Sequence, residues 1–218
     1  MPRNPAGALA LIAGLAVIGA GLATPALAHP HVWIVVETTL IYDKGAFTGL
    51  SHKWTFDDGY TRMAIEGLDK NNDGKYDREE LAELAKVNIE GLKDFSYFTT
   101  AAVAGQEVKF GVPTDYWLEY KDKLLSLNFT LPFAEPVSAD AKGLTYIVQD
   151  PSFFIAFDLA KTDPAKLGPG APPQCKIRLA SGKDEANGAA LGDAFARQFG
   201  GAFAMGGAQA IAVDCQGP

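Results

Sequence analysis

Runs of alternating or continuous apolar residues, separated by short polar turns, fill most of the chain and predict a β-rich domain. His31 to Ile41 is a near-continuous run of Val, Trp, Ile, Thr and Leu. Asp43-Lys44-Gly45 then reads as a turn, and Phe47 to Phe56 as the returning strand. Phe95–Ala104, Glu107–Val112, Tyr116–Tyr120 and Leu124–Leu131 continue the series, followed by Leu144–Gln149 and Phe153–Leu159. Pro164 to Pro173 has neither helical nor strand pattern. Two segments break the alternation with helical spacing. Gly59–Leu68 carries Ile65 and Leu68, and Arg78–Leu92 carries Leu81, Leu84, Val87 and Ile89. A third helix is predicted over Asp184–Phe199. The expected fold is α+β: a mainly antiparallel, sandwich-like domain with an inserted helix–loop–helix over 58–92 and one C-terminal helix.

The insertion carries the most specific chemistry. Asp69 to Glu80 matches a twelve-residue EF-hand calcium loop at every ligand position. Asp69, Asn71 and Asp73 supply side-chain oxygens at positions one, three and five, and Gly74 stands where the chain must turn sharply. Lys75 would offer its backbone carbonyl, Asp77 a direct or water-mediated oxygen, and Glu80 a bidentate carboxylate. The competing reading is a solvated acidic turn. No second such loop exists, although EF-hands usually pack in pairs, so a lone inserted hand is expected to clamp structure.

The N-terminus places the protein in the periplasm. Met1-Pro2-Arg3 is a short positive region, Ala6 to Ala23 is uncharged and apolar, and Ala26-Leu27-Ala28 is a signal-peptidase site. Residues 1–28 are expected to be removed, leaving 29–218 as one domain, soluble after cleavage. The leader carries one charge, so the mature chain has 18 basic against 26 acidic side chains. An acidic chain without a basic cluster excludes nucleic acid as a partner. Cys175 and Cys215, in an oxidising compartment, are expected to form one disulfide.

Cleavage after Ala28 makes His29 the first mature residue, ahead of Pro30 and His31. A terminal amine with a pKa near 7.7–8.0 beside an imidazole is a chelate for nickel, cobalt, zinc or copper. Pro30 has no N–H, which rules out the square-planar motif that deprotonates the second amide. If Lys44-Gly45 is a two-residue turn and pairing runs on unbroken, Asp43 faces Ala46, His52 faces Glu37, and His31 faces Asp58. A transition-metal site of His29, His31 and Asp58 follows, with His52 about 20 Å away. The bland alternative makes His31 an ordinary strand residue and His52 a structural partner of Glu37.

His29-Pro30-His31-Val32-Trp33, Trp54-x-Phe56-Asp57, Leu131-Pro132-Phe133 and Asp150-Pro151-x-Phe153-Phe154, in that order, resemble a bacterial periplasmic family of unknown function. Its members are described as periplasmic components of an uncharacterised ABC-type transport system, often associated with nickel or cobalt. The resemblance implies a metal-transporter membrane component as partner. The leading expectation is a calcium-binding, non-enzymatic accessory or substrate-binding component of a divalent-metal transport system. One alternative is a copper-binding chaperone or oxidative enzyme of the histidine-brace kind. Another is a calcium-stabilised structural or adhesion module. No Cys–His or Ser–His–Asp arrangement is recognisable, which disfavours a covalent nucleophile.

Overall fold

A computed structural model describes residues 30–181 and 209–215. The leader, His29 and the helix expected over Asp184–Phe199 lie outside the described residues. Eleven strands are described in chain order: β1 Val32–Asp43, β2 Ala46–Phe56, β3 Thr99–Val103, β4 Gln106–Val108, β5 Thr114–Lys121, β6 Leu124–Ser138, β7 Leu144–Val148, β8 Ile155–Leu159, β9 Ala165–Leu167, β10 Lys176–Ser181 and β11 Gln209–Asp214. Helices α1 (Asp58–Ala64) and α2 (Arg78–Leu92) stand between β2 and β3. The larger sheet runs β5-β6-β2-β1-β8, with β9 also paired to β1, and the smaller runs β10-β11-β7-β3-β4. The α+β class and the dominance of antiparallel pairing agree with the sequence.

The inner face of the larger sheet is shared. Ile34, Val36, Trp54, Phe56, Leu125 and Leu127 form one apolar core with Ile65, Leu81, Ala85 and Ile89 from the helical segment. Leu40, Phe47 and Leu50 form a second core with Ala101, Leu144, Tyr146 and Ile211 of the smaller sheet. The helices cover one end of the ribbon and the second sheet covers the other. Alternation in β6 places Leu125, Leu127, Phe129, Leu131 and Phe133 on this same buried face.

The hairpin turn forms as its residues require, with Lys44 and Gly45 both left-handed (φ 47° and 90°). Asp43 pairs with Ala46, but the ladder then shifts between Ile41 and Tyr42. Beyond the bulge Thr38 faces His52 and Glu37 faces Lys53, with an exposed ion pair at 3.3 Å. The unbroken register is therefore corrected, and with it the His52–Glu37 pair. The physical reason is parity. Phe47 is buried at an odd position, whereas Leu50, His52, Trp54 and Phe56 are buried at even ones. One extra residue brings both sets onto the core face.

Other elements depart from the sequence pattern. Lys93–Phe98 is a 3₁₀-type segment with left-handed Ser96, Tyr97 and Phe98, so the strand expected from Phe95 begins at Thr99. β8 and β9 run parallel to β1, with Val32 beside Ile155 and Thr38 beside Ala165. β9 lies inside the stretch that carries no strand pattern, being three residues long. Cys175 and Cys215 are disulfide-bonded across 40 residues. Chain entropy assigns that closure about 4 kcal/mol. Among the described residues, no helix is long and apolar enough to cross a membrane.

Gly49 sits at the bulge, where a methyl group would lie 2.7 Å from the Leu131 carbonyl oxygen and 2.7 Å from Pro132 Cα. Both are backbone atoms of a central strand and cannot step aside cheaply. Gly49→Ala is expected to cost about 1–3 kcal/mol, the usual range for overpacking. Thermal or urea unfolding checks this, and an unchanged midpoint would show that the two strands separate more readily than their pairing implies.

Candidate metal centre

The loop between the helices is organised by its own carboxylates. Asp69 accepts the amides of Asp73 (3.1 Å) and Gly74 (3.0 Å) on its two oxygens. Asn71 Oδ1 accepts the Asp73 amide at 2.8 Å, and Asp73 Oδ1 accepts the Lys75 amide at 2.8 Å. Gly74 is left-handed, φ 76°, at the sixth position. Asp77 caps α2 by accepting the Glu79 and Glu80 amides at 2.8 and 2.9 Å. Glu80 returns the contact, accepting the Asp77 amide on Oε2 at 3.2 Å, which completes a capping box. Its Oε1 accepts the Lys70 amide at 2.9 Å, so one buried carboxylate holds both ends of the loop.

This loop is fastened to the rest of the molecule at several points. Tyr76 meets Tyr120 of β5 edge-on, with centroids 4.8 Å apart, and the Arg78 guanidinium lies 4.6 Å over the Trp117 ring. Leu81, Ala85 and Ile89 of α2 are buried, whereas Val87, expected on that face, is exposed. The Tyr60 hydroxyl donates to Asn88 Oδ1 at 3.1 Å, joining α1 to α2. Thr61, buried on α1, accepts the Leu125 amide at 3.1 Å.

Asp69, Asn71, Asp73, Asp77 and Glu80 with the Lys75 carbonyl are a hard, all-oxygen donor set, the chemistry that calcium takes. As the loop stands, these oxygens serve backbone amides. Among the described residues, no group of three or more His, Cys, Asp or Glu side chains stands together closely enough to hold a metal ion.

Of the expected terminal metal site, His31 and Asp58 are not brought together. The hairpin ladder ends at Ile34–Phe56, so His31 has no cross-strand partner at Asp58. Asp58 opens α1 and pairs with Arg62 one turn along. The His31 ring packs on Phe154 at 4.7 Å, and its amide donates to the Phe154 carbonyl at 2.8 Å. Asp57, next in sequence, has the structural role: it accepts the Trp33 amide at 2.7 Å and the Tyr60 amide at 2.9 Å. Burial raises its carboxyl pKa, but the Trp33, Tyr60 and Gly59 amides lower it more, leaving it below the ordinary range.

A cleft of about 550 Å³ escaped the sequence reading. It opens where α1, α2 and the 3₁₀ segment meet the β7–β8 connection, between Tyr60, Val87, Leu92, Phe95 and Phe154. Its only sequence signal is the Phe153-Phe154 pair following Asp150, whose carboxylate accepts the Ser152 and Ile155 amides and shapes the turn.

Residues 14–215 match the family described as "Protein of unknown function (DUF1007)", and the chain belongs to it. An uncharacterized protein of Haemophilus influenzae is 27% identical over 145 residues, 66% of this chain and 69% of that protein. An "Uncharacterized 15.5 kDa protein in trpE 3'region" of Spirochaeta aurantia is 29% identical over 100 residues, 45% of this chain and 70% of that protein.

Asp57 ties the first strand to α1, so Asp57→Ala is expected to cost about 0.5–2 kcal/mol, as lost caps do. The native carboxyl titrates below its unfolded value, so its contribution is complete above about pH 4 and is lost as pH falls below that. The parent and Asp57→Ala should therefore differ in unfolding free energy at pH 7, and the gap should narrow as pH falls below about 4. A gap independent of pH would show that the carboxylate charge contributes nothing.

Proposed function

We propose that this member of the DUF1007 family is a calcium-binding, non-enzymatic periplasmic protein that serves a divalent-metal transport system as an accessory or substrate-binding component. The observation that carries the calcium reading is the loop Asp69–Glu80. It combines an oxygen donor at each ligand position with a left-handed Gly74 and a buried, doubly bonded Glu80. Donor chemistry favours calcium over zinc or copper, which prefer nitrogen and sulfur. The oxygens have amides to leave or share before they gather on an ion. That cost suits a weak site, with a Kd of about 10⁻⁴–10⁻³ M, in a compartment where calcium is plentiful.

The loop's attachments suggest what calcium does there. It joins α1 to α2 and reaches β5 through Tyr76 and Arg78. Calcium would act as a clamp on the helical end of the ribbon. Support for transport is the resemblance of His29-Pro30-His31-Val32-Trp33 and the later motifs. In this reading the amine and imidazole of His29, assisted by His31, take nickel, cobalt, zinc or copper. A histidine brace would need a further imidazole beside the amine, and His52 is enclosed in the core.

Two measurements test the two halves of the proposal. Calcium at 100 times its Kd should stabilise the parent by about 2.7 kcal/mol, and Glu80→Gln should lose most of that increment. Equal calcium-dependent rises in melting temperature would overturn the loop assignment. Separately, nickel or copper should bind the processed protein more tightly than a version carrying one extra N-terminal residue. That extension turns the His29 amine into an amide, and indistinguishable affinities would remove the terminal chelate.

A further inference from the structure

The two apolar cores meet along a seam that carries polar side chains on β1 and β2. On β2, Leu50 belongs to one core and Trp54 to the other, with His52 between them. On β1, Leu40 and Val36 are divided in the same way by Thr38, the residue paired with His52. The smaller sheet contributes Tyr146, whose hydroxyl lies 2.6 Å from Thr38 Oγ1. His52 is 1% exposed, stacked on Phe129 at 4.9 Å and set against the edge of Trp54 at 5.7 Å. Among the described residues, neither imidazole nitrogen has a hydrogen-bond partner, and neither has the buried Trp54 Nε1.

An apolar side chain at this position would avoid burying two unpaired nitrogens, each a cost to the folded state. The imidazole is therefore not explained by stability at neutral pH. Among the described residues, nothing beside it accepts a charge. From β1 it faces Thr38, from β6 Phe129, and on its own strand Trp54, all uncharged. The titratable Tyr146 is held protonated by burial and is engaged with Thr38. Burial alone, with no compensating carboxylate, pushes the His52 pKa down to about 3.

We propose that His52 is an acid-sensitive latch at the seam between the two cores, neutral and buried in the closed protein, and that its protonation opens the seam and loosens the smaller sheet from the ribbon. The sign follows from linkage. The group binds its proton more weakly when folded than when exposed, so its effect on stability is absent above about pH 6.5. Stability is then lost as pH falls from there toward 3, a window an extracytoplasmic protein can meet. The loop Asp69–Glu80 and its metal play no part in this inference.

The full mature protein is tested by following unfolding from pH 7 to pH 4.5. Near pH 5 the parent should take up about one more proton on unfolding than His52→Leu, with His52→Gln as the polar control. Amide protection in β7 and β11 should fall between pH 7 and pH 5 in the parent, ahead of α2, and stay level in His52→Leu. Equal proton uptake in parent and variants, or protection lost uniformly across both cores, would overturn the latch. If neither variant folds, the native His52 resonances decide, assigned by elimination with His29→Ala and His31→Ala. They should not titrate while the protein remains closed, and a midpoint near 6.5 in the native state would overturn the proposal.

Discussion

The extra residue accommodated in β2 governs which side chains reach the core, because a strand presents alternate residues to opposite faces. Without the bulge, burying Phe47 would send His52 and Trp54 to the solvent side, and burying Trp54 would expel Phe47. With it, one continuous inner surface carries Phe47 under the smaller sheet and Trp54 and Phe56 toward the helices. Gly49 lets β6 approach closely at that point, where its own register shifts as well. Each of the other layers packs on this ribbon, so an error in its register would be felt at both ends.

Dividing one sheet face between helices and a second sheet has a consequence at the junction. Two separate apolar clusters must abut, and on β1 and β2 the boundary is held by Thr38 and His52, with the Tyr146 hydroxyl against Thr38. The helical end is fastened by polar contacts of a different kind. Asp57 holds β1 to α1, Tyr60 holds α1 to α2, and Glu80 closes the loop from the inside. These contacts act alongside apolar packing, since Tyr60, Leu68, Tyr76 and Leu84 lie against the first core. A calcium ion in that loop would reinforce the helical end of the molecule beside the core that Leu81, Ala85 and Ile89 complete.

Local rules made several features legible in the sequence. Asn and Asp at alternate positions before Gly74 announce the loop, and Asp77 with Glu80 announces the cap, because each depends on residues a few places apart. The span Arg78–Leu92 was readable for the same reason, as were the Lys44-Gly45 turn and the even pair of cysteines. What the sequence could not decide depends on distant partners. The bulge arises because core residues on two strands and a crossing backbone must agree at once. β8 pairs in parallel with β1 because the chain arrives there from the other sheet. His31 and Asp58 are neighbours only in an unbroken ladder that runs to its end, whereas the ladder stops at Ile34–Phe56, Asp58 opens a helix and His31 packs on Phe154. The burial of His52 is decided in the same way: Phe129 and Trp54 close over it in three dimensions, and nothing in the residues beside it distinguishes an enclosed imidazole from an exposed one.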